Sequence, residues 1–247
     1  MADTRFQPQV GTSSRVDIDQ GLRSYMVKVY NYMAAGLGIT AVAAVLTFMA
    51  AVDSSGASMQ LTPFGQAIFT GPLMWVLVLA PFAMVLFMSF RINSMSVSAA
   101  QLTFWIYAAL MGVSFASLGL VYTHDSIARV FLITAITFGA MSVYGYTTKR
   151  DLTSMGSFLF MGLIGIIVAS LVNIFLASSG LAWVISVLGV LIFTGLTAYD
   201  TQKIKEMYLE SDDGTVSGRK AIMGALNLYL DFINLFLMLL RLFGNRN

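Results

Sequence analysis

The chain has 247 residues, of which 57% are hydrophobic and 11% are charged, with 14 Lys and Arg against 12 Asp and Glu. A soluble domain is on average about 25% charged, so this composition and a mean hydropathy of +0.79 indicate a polytopic membrane protein. The absence of cysteine excludes a disulfide-stabilised secreted scaffold, and a net charge of only +2 excludes a protein that binds nucleic acid through a basic surface.

The chain begins with a polar segment of mixed charge, which contains four Lys and Arg residues before the first apolar stretch. No apolar core lies ahead of residue 29, so the segment lacks the pattern of a cleavable signal peptide. We therefore expect a flexible polar cytoplasmic tail at 1–24 and a seven-helix transmembrane domain at 25–247. The first span then serves as an uncleaved anchor.

Seven apolar stretches follow the tail, and each has roughly the 20 residues that a helix needs to cross a bilayer. They lie at 29–52, 71–90, 97–121, 127–146, 156–177, 181–199 and 222–243. None shows the strict alternation of a membrane β-strand, and the loops are too short to hold a soluble domain. The sequence therefore predicts an all-α polytopic membrane protein with seven transmembrane helices.

The basic residues predict the orientation of these helices. Eleven of the 14 Lys and Arg residues fall on the side of the N-terminal tail, and three fall on the other side. The positive-inside rule then places the N-terminus in the cytoplasm and, after seven crossings, the C-terminus outside. If the last span folds back instead, the C-terminus changes sides.

Small residues and one proline predict how the helices pack. Gly112 and Ala116 lie four residues apart, and Gly162 and Gly165 lie three apart, so each pair shares a helix face that another helix can approach closely. Pro81 removes one backbone donor from the second span and is expected to kink it.

Several kinds of membrane chemistry lack the residues that they need. A seven-helix retinal protein requires a buried Lys, but every Lys lies outside a span or at its edge. With no Cys and a single His, a two-His haem site and a Cys/His zinc site are excluded. That residue, His124, falls in a short loop and is most simply a solvated side chain. The sequence predicts no catalytic residue, no bound cofactor and no enzyme.

One carboxylate lies deep inside an apolar span. An ionised, unpaired Asp231 would cost at least about 2.5–3.5 kcal/mol at mid-membrane, so we expect it to face the interior and to have a partner. Asn227 and Asn234 lie four residues before and three after it, on the same helix face. This polar face either lines a cavity or satisfies Asp231.

A second carboxylate, Asp200, ends the sixth span at a similar depth. If that helix continues to about Leu209 and the seventh begins near Arg219, Asp200 and Asp231 both lie roughly 14–17 Å from the shared loop. Two carboxyl groups in contact at low dielectric would share a proton. When deprotonated, the pair could bind a hard cation such as Ca²⁺.

Two other partners are open for these carboxylates. The pair could latch to Arg91, which is predicted at the cytoplasmic end of the second span. Alternatively, Asp231 pairs with a neighbouring Asn or a cation, while Asp200 interacts only with Lys203 or Lys205 at the membrane edge. Spacing alone does not choose between a coupled pair and separate partners.

Three motifs resemble those of one family, the Bax inhibitor-1 (transmembrane Bax-inhibitor-motif) family. The C-terminal motif is Tyr-Leu-Asp-Phe-Ile-Asn-Leu-Phe at 229–236, followed by Leu-Leu-Arg-Leu-Phe-Gly at 239–244. The sixth span ends with Thr-Ala-Tyr-Asp-Thr-Gln-Lys-Ile at 197–204. The third motif is Tyr-Gly-Tyr-Thr-Thr-Lys-Arg-Asp-Leu at 144–152. The resemblance covers nearly the whole chain from about residue 24, and the polar tail and the Thr-Thr-Lys-Arg-Asp block are similar to those of bacterial members.

The resemblance implies a seven-helix bundle in the bacterial inner membrane, with the last helix at its centre. It also implies a pH-sensitive calcium leak gated by a di-aspartyl pair, whose members match Asp200 and Asp231. A basic residue at the end of the second helix would latch the closed state, and Arg91 is the nearest match. Arg91 stands alone, whereas relatives often carry several basic residues there.

A hypothesis of a different class is an interaction protein that modulates a membrane protease or a stress or cell-death response. Its sequence correlate is the polar tail, residues 1–20, which a membrane-bound AAA protease could grip. A third possibility is a structural bundle that only buries a satisfied Asp. In each case the expected surroundings include the lipid bilayer and exclude nucleic acid.

Overall fold

The computed structural model describes residues 13–53 and 59–247, with side chains from Gln20 onward. Its helices and strands, in chain order, are α1 (Ser13–Ala51), β1 (Val52–Asp53), β2 (Gln60–Leu61), α2 (Pro63–Phe69), α3 (Leu73–Arg91), α4 (Val97–Phe115), α5 (Leu118–Val121), α6 (His124–Thr147), α7 (Thr153–Leu176), α8 (Ser179–Glu206) and α9 (Gly214–Phe243). The two strands form only a short antiparallel pair, and the other elements are helices. The fold is therefore all-α.

Seven helical segments are long and apolar enough to cross a membrane, which confirms the predicted spans. They are α1, α3, α4 with α5, and α6 to α9. Helix α1 begins at Ser13, inside the predicted tail, because no proline lies between Ser13 and the first span. Residues 1–12 of that tail lie outside the described residues. Pro81 is buried within α3, which continues as one helix through it.

Helix α9 is the most buried of the seven spans. In the most apolar 18-residue stretch of α9, 72% of the residues are buried, against 6% in the corresponding stretch of α7 and 39% in that of α8. Fifteen residues of α9 are buried, and they include small residues that let neighbouring helices approach closely. The other helices therefore cover α9, and their outer faces carry the lipid-exposed surface.

The surrounding helices form two groups, one on each side of α9. Helices α1 and α3 pack against α4, and helices α6 and α7 pack against α8. Helix α9 contacts α1 and α4 in the first group and α6 and α8 in the second. In the part of the chain that the structure describes, the two groups meet mainly through α9.

The outer faces carry large apolar side chains that water would not tolerate. Phe90 is 82% exposed and Phe175 is 88% exposed, and similar residues continue along α1, α3 and α7. An apolar surface of this extent is typical of a protein whose solvent is lipid. The exposed faces thus agree with the membrane location that the composition predicts.

The glycines predicted at helix contacts behave differently from one another. A Cβ at Gly112 would overlap the carbonyl oxygen of Thr40 on α1, so the two backbones touch there. A Cβ at Gly162 would lie 2.8 Å from the side chain of Ile192. The prediction is wrong for Gly165, where an added Cβ would meet no atom within 4 Å, because that face of α7 points away from the bundle.

The segment after α9 is attached to the start of α6. Asn245 O accepts a hydrogen bond from the N–H of Thr123 at 3.0 Å, and the N–H of Asn245 donates to Ser126 Oγ at 2.8 Å. The N–H of Asn247 donates to Val121 O at 3.0 Å. These bonds fasten the end of the central helix to the α5–α6 junction.

A carboxyl pair between the last two helices

Asp200 and Asp231 lie on neighbouring antiparallel helices, α8 and α9, and their carboxyl groups are within hydrogen-bonding reach of each other. Asp231 is 5% exposed, and Asp200 is half-buried nearer the basic end of the bundle. The contact confirms the predicted similar depth of the two residues. The site therefore lies at the interface between the central helix α9 and α8, the helix that packs most extensively against it.

The two helix ends from which this depth was predicted lie at other residues in the structure. Helix α8 ends at Glu206, before Leu209, and α9 begins at Gly214, before Arg219. The early start follows from Asp213, whose Oδ1 accepts the N–H groups of Thr215 and Val216 as an N-cap. The two residues therefore lie at one level, but the predicted distance of 14–17 Å from the helix ends is wrong, because Asp200 lies six residues before the end of α8 and Asp231 lies 17 residues after the start of α9.

The two asparagines on the same face of α9 do not satisfy Asp231. Asn234 Nδ2 donates to the carbonyl oxygen of Leu230 at 2.8 Å. Asn227 is half-buried and makes no hydrogen bond to Asp231. Within the described residues, Asp231 Oδ2 is buried and receives no hydrogen bond from an N–H or hydroxyl group. The other carboxyl group is thus the partner that the geometry offers to Asp231.

The basic residues proposed as separate partners lie around the pair rather than on it. Lys203 is close enough to Asp200 for an electrostatic attraction, but the two side chains form no ion pair. The Nζ of Lys203 lies instead over the Tyr199 ring, 5.8 Å from its centre. Lys205 Nζ donates to the carbonyl oxygen of Tyr146 at 2.9 Å. Neither lysine neutralises the pair by direct contact.

Arg91 is exposed at the last turn of α3 and forms no ion pair with Asp200 or Asp231. The structure therefore does not bring the predicted latch to the carboxyl groups. The segment that carries it is nevertheless attached to α9, because the Arg219 guanidinium donates to the carbonyl oxygen of Asn93. A link from the end of α3 to the central helix exists without Arg91.

A buried amide next to the pair was not singled out from the sequence. Gln202 Oε1 accepts the N–H of Leu152 at 2.8 Å, and its Nε2 donates to Arg150 O at 2.8 Å. This side chain fixes the α6–α7 loop to α8, two residues from Asp200. The signal that the sequence offered was a Gln within the motif at 197–204, because an amide that is buried on folding needs hydrogen-bond partners.

His124 is not the loop residue that the sequence suggested. It is the first residue of α6, and its ring packs edge-on against Phe48 of α1, with the ring centres 5.2 Å apart. The N-cap Thr123 starts the helix there, since its Oγ1 accepts the N–H of Ser126. The side chain remains exposed at the end of the bundle opposite the basic residues.

The pair can do two kinds of chemistry. Two carboxyl groups hydrogen-bond to each other only when a proton lies between them, so their contact depends on protonation. Without that proton they offer anionic oxygen ligands, of which Ca²⁺ takes six to eight. Among the described residues no cluster of three or more His, Cys, Asp or Glu could hold a metal. Two carboxylates suit transient contact with a hydrated cation better than a permanent metal site.

Comparison with known proteins finds similarity along nearly the whole chain. The family model described as "Inhibitor of apoptosis-promoting Bax1" matches residues 22–247. The inner membrane protein YbhL of Escherichia coli strain K12 is 48% identical over 92% of this chain and 93% of its own length. An uncharacterized protein of Rickettsia prowazekii is 51% identical over 95% of each chain. An uncharacterized membrane protein of Streptococcus pyogenes serotype M3 is 36% identical over 93% and 96%, respectively.

Proposed function

The chain belongs to the Bax inhibitor-1 family of membrane proteins, and we propose that it is a pH-sensitive calcium (cation) leak channel gated by Asp200 and Asp231. The observation that carries the proposal is the contact of two carboxyl groups at the α8–α9 interface, with Asp231 only 5% exposed. The name of the Escherichia coli relative supports the bacterial inner membrane as the location. The proposed orientation has the N-terminus in the cytoplasm.

The gate works through the proton between the carboxyl groups. With one shared proton, the hydrogen bond joins α8 to α9 and holds the bundle closed. When that proton leaves, two like charges repel each other in a medium of low dielectric, and the helices separate. The freed carboxylates then contact Ca²⁺ during passage, whereas protonation of both groups weakens that contact. Calcium is the permeant or regulatory ion in this scheme.

Arg91 acts as a gating latch in the same scheme. Because it is exposed at the end of α3 and forms no ion pair with the two carboxyl groups in this structure, the latch requires a second arrangement of that segment. Asn227 and Asn234 supply the supporting polar face of α9. Their half-buried positions on either side of Asp231 suit contact with water along the ion path.

Ion flux into proteoliposomes across a pH series tests the gate. In Asp200→Asn and Asp231→Asn, an amide donates to the remaining carboxylate without a shared proton, so we expect low calcium flux that no longer depends on pH. Asp125→Asn removes an exposed carboxylate at the start of α6 and should behave as the wild type. The same pH-dependent flux in the wild type and in both pair variants would contradict the proposal, as would pH-independent flux in all of them.

The alternative function is that of an interaction protein which modulates a membrane-bound AAA protease or a stress or cell-death response. It rests on residues 1–20, of which the structure describes the backbone from Ser13. Deleting that tail should then abolish coupling to the protease and leave ion flux unchanged. Loss of flux in the deleted chain would favour the channel over this alternative.

A further inference from the structure

A groove separates α1 from α6 at the basic end of the bundle. Both helices pack against α9, and between them lies a space of about 550 Å³. Its walls come from the stretch of α1 between Arg23 and Tyr30 and from the last turns of α6. Val27, which is 51% exposed, and Val143, which is 64% exposed, flank the groove, so its side opens toward the lipid-facing surface.

The inner part of the groove is apolar and contains an unfilled position. Met26 and Phe138 line it together with the two valines. Gly139 also lines it, and an added Cβ there would meet no atom within 4 Å. The groove therefore has room for a flexible hydrocarbon chain along α6.

Two polar groups in the groove have no partner among the described residues. Ser142 is 5% exposed, lines the groove, and its Oγ is buried without a hydrogen bond. A buried hydroxyl without a partner is costly and indicates a position where a ligand atom can accept or donate. Arg23 lines the same groove, is exposed, and forms no ion pair with any side chain that the structure describes.

The polar groups are ordered by depth. Arg23 and Tyr146 lie nearest the basic end, and Lys205 Nζ lies 5.3 Å from the centre of the Tyr146 ring. Ser142 is one helical turn, about 6 Å, further into the membrane than Tyr146. Positive charge thus comes first, then the buried hydroxyl of Ser142, and then a mainly apolar wall, to which Tyr30 also contributes. The order matches the phosphate, the ester groups and the acyl chains of a phospholipid.

From this order we propose that the α1/α6 groove binds an anionic glycerophospholipid, with its phosphate at Arg23, its ester region at Ser142 and one acyl chain beside Gly139. The bilayer supplies the ligand because the groove opens sideways into it. Anionic lipid is favoured because Arg23 lines the groove without an ion pair to a described side chain, and Lys205 lies beside Tyr146 at the same end. This site does not depend on the carboxyl pair and is separate from it.

Native mass spectrometry of the full chain tests the site, using mixed micelles with equal amounts of phosphatidylglycerol and phosphatidylcholine that have the same acyl chains. We expect the wild type to retain phosphatidylglycerol preferentially. Gly139→Leu fills the groove and should abolish that retention. Gly165→Leu, at an equally open position on α7, is the matched control and should keep it. Arg23→Gln should lower the preference for phosphatidylglycerol about fivefold, as expected for one basic residue at an anionic surface.

Three results would overturn the proposal. The first is equal retention of phosphatidylglycerol by the wild type and Gly139→Leu. The second is equal retention of the two lipids by the wild type, and the third is displacement of phosphatidylglycerol by free oleate. If Gly139→Leu does not fold, Val143→Trp blocks the groove from its exposed edge and takes its place in the comparison.

Discussion

The hydroxyl group of Tyr229 belongs to a hydrogen-bond network that joins α9 to α1 and α4. Its OH lies 2.7 Å from Thr40 Oγ1 on α1, and Thr40 Oγ1 is also 2.9 Å from the carbonyl oxygen of Ala108 on α4. Tyr229 is fully buried, and the rings of Phe104 and Tyr107 meet it edge-on. The first helix group is therefore fixed to α9 two residues before Asp231.

Replacing Tyr229 with Phe should lower the stability of the bundle modestly. The substitution removes one buried interhelical hydrogen bond, which in membrane proteins contributes about 0.6 kcal/mol on average and up to about 1.7 kcal/mol. Thr40 keeps its carbonyl acceptors, so the loss should stay within this range. Unfolding in detergent with increasing SDS measures the change. Tyr144→Phe, at a 43% exposed position, is the control, and an equal loss in both variants would contradict the role of the bond.

At this scale the sequence predicts the carboxyl pair better than the hydroxyl and amide contacts. A charge inside an apolar run is visible without a structure, because its cost demands a partner. Thr40 and Gln202 are uncharged, and their partners are backbone atoms of segments remote in the chain. Such partners follow from helix packing, which one sequence does not specify.

Helices α1 and α4 approach each other closely at Gly112. A side chain there would meet the Thr40 carbonyl oxygen, the Ala43 Cβ and the Ala44 nitrogen. Two of these three atoms belong to the backbone, which cannot rotate away. The contact therefore fixes the distance between the two helices that form the core of the first group.

Gly112→Val should destabilise the bundle by about 1–3 kcal/mol, the usual cost of overpacking a close contact. SDS unfolding measures this loss, and Gly165→Val provides the control because its added atoms meet open space. A wild-type unfolding curve for Gly112→Val would show that α1 and α4 do not depend on this close approach.

The spans themselves were predictable, whereas their ends were not. Uninterrupted apolar runs determine which segments cross the membrane, so all seven spans appeared where expected. The ends depend on local capping and on polar residues that continue a helix into water, as Asp213 does for α9. The α7–α8 junction is an intermediate case: it lies where expected, and Ala177 makes the turn with a φ of 49°.

The orientation of the whole molecule can be tested with single cysteines, because the chain has none of its own. Asp125 and Lys149 are exposed at opposite ends of α6. In intact spheroplasts, a membrane-impermeant maleimide should label Asp125→Cys at once and Lys149→Cys only after permeabilisation. The opposite labelling pattern would place the N-terminus outside.

The arrangement of the seven helices was only partly accessible from the sequence. The family resemblance implied a central last helix, and its burial agrees with that. The division into two groups is a property of contacts between helices distant in the chain, such as α1 with α4 and α6 with α8. Nothing in the composition of the lipid-facing spans distinguishes one group from the other.

Helix α9 is held at both of its ends. Arg219 and Lys220 bind carbonyl oxygens of Asn93 and Met207 at the basic end, and the residues after α9 bind Thr123 and Ser126 at the other. Met207 caps the end of α8, and Thr123 and Ser126 lie at the start of α6, so both ends of the central helix are tied to the α6–α8 group. In the proposed gate, α8 and α9 would therefore move apart near the carboxyl pair by bending between fixed ends, and the central helix would not slide along its axis.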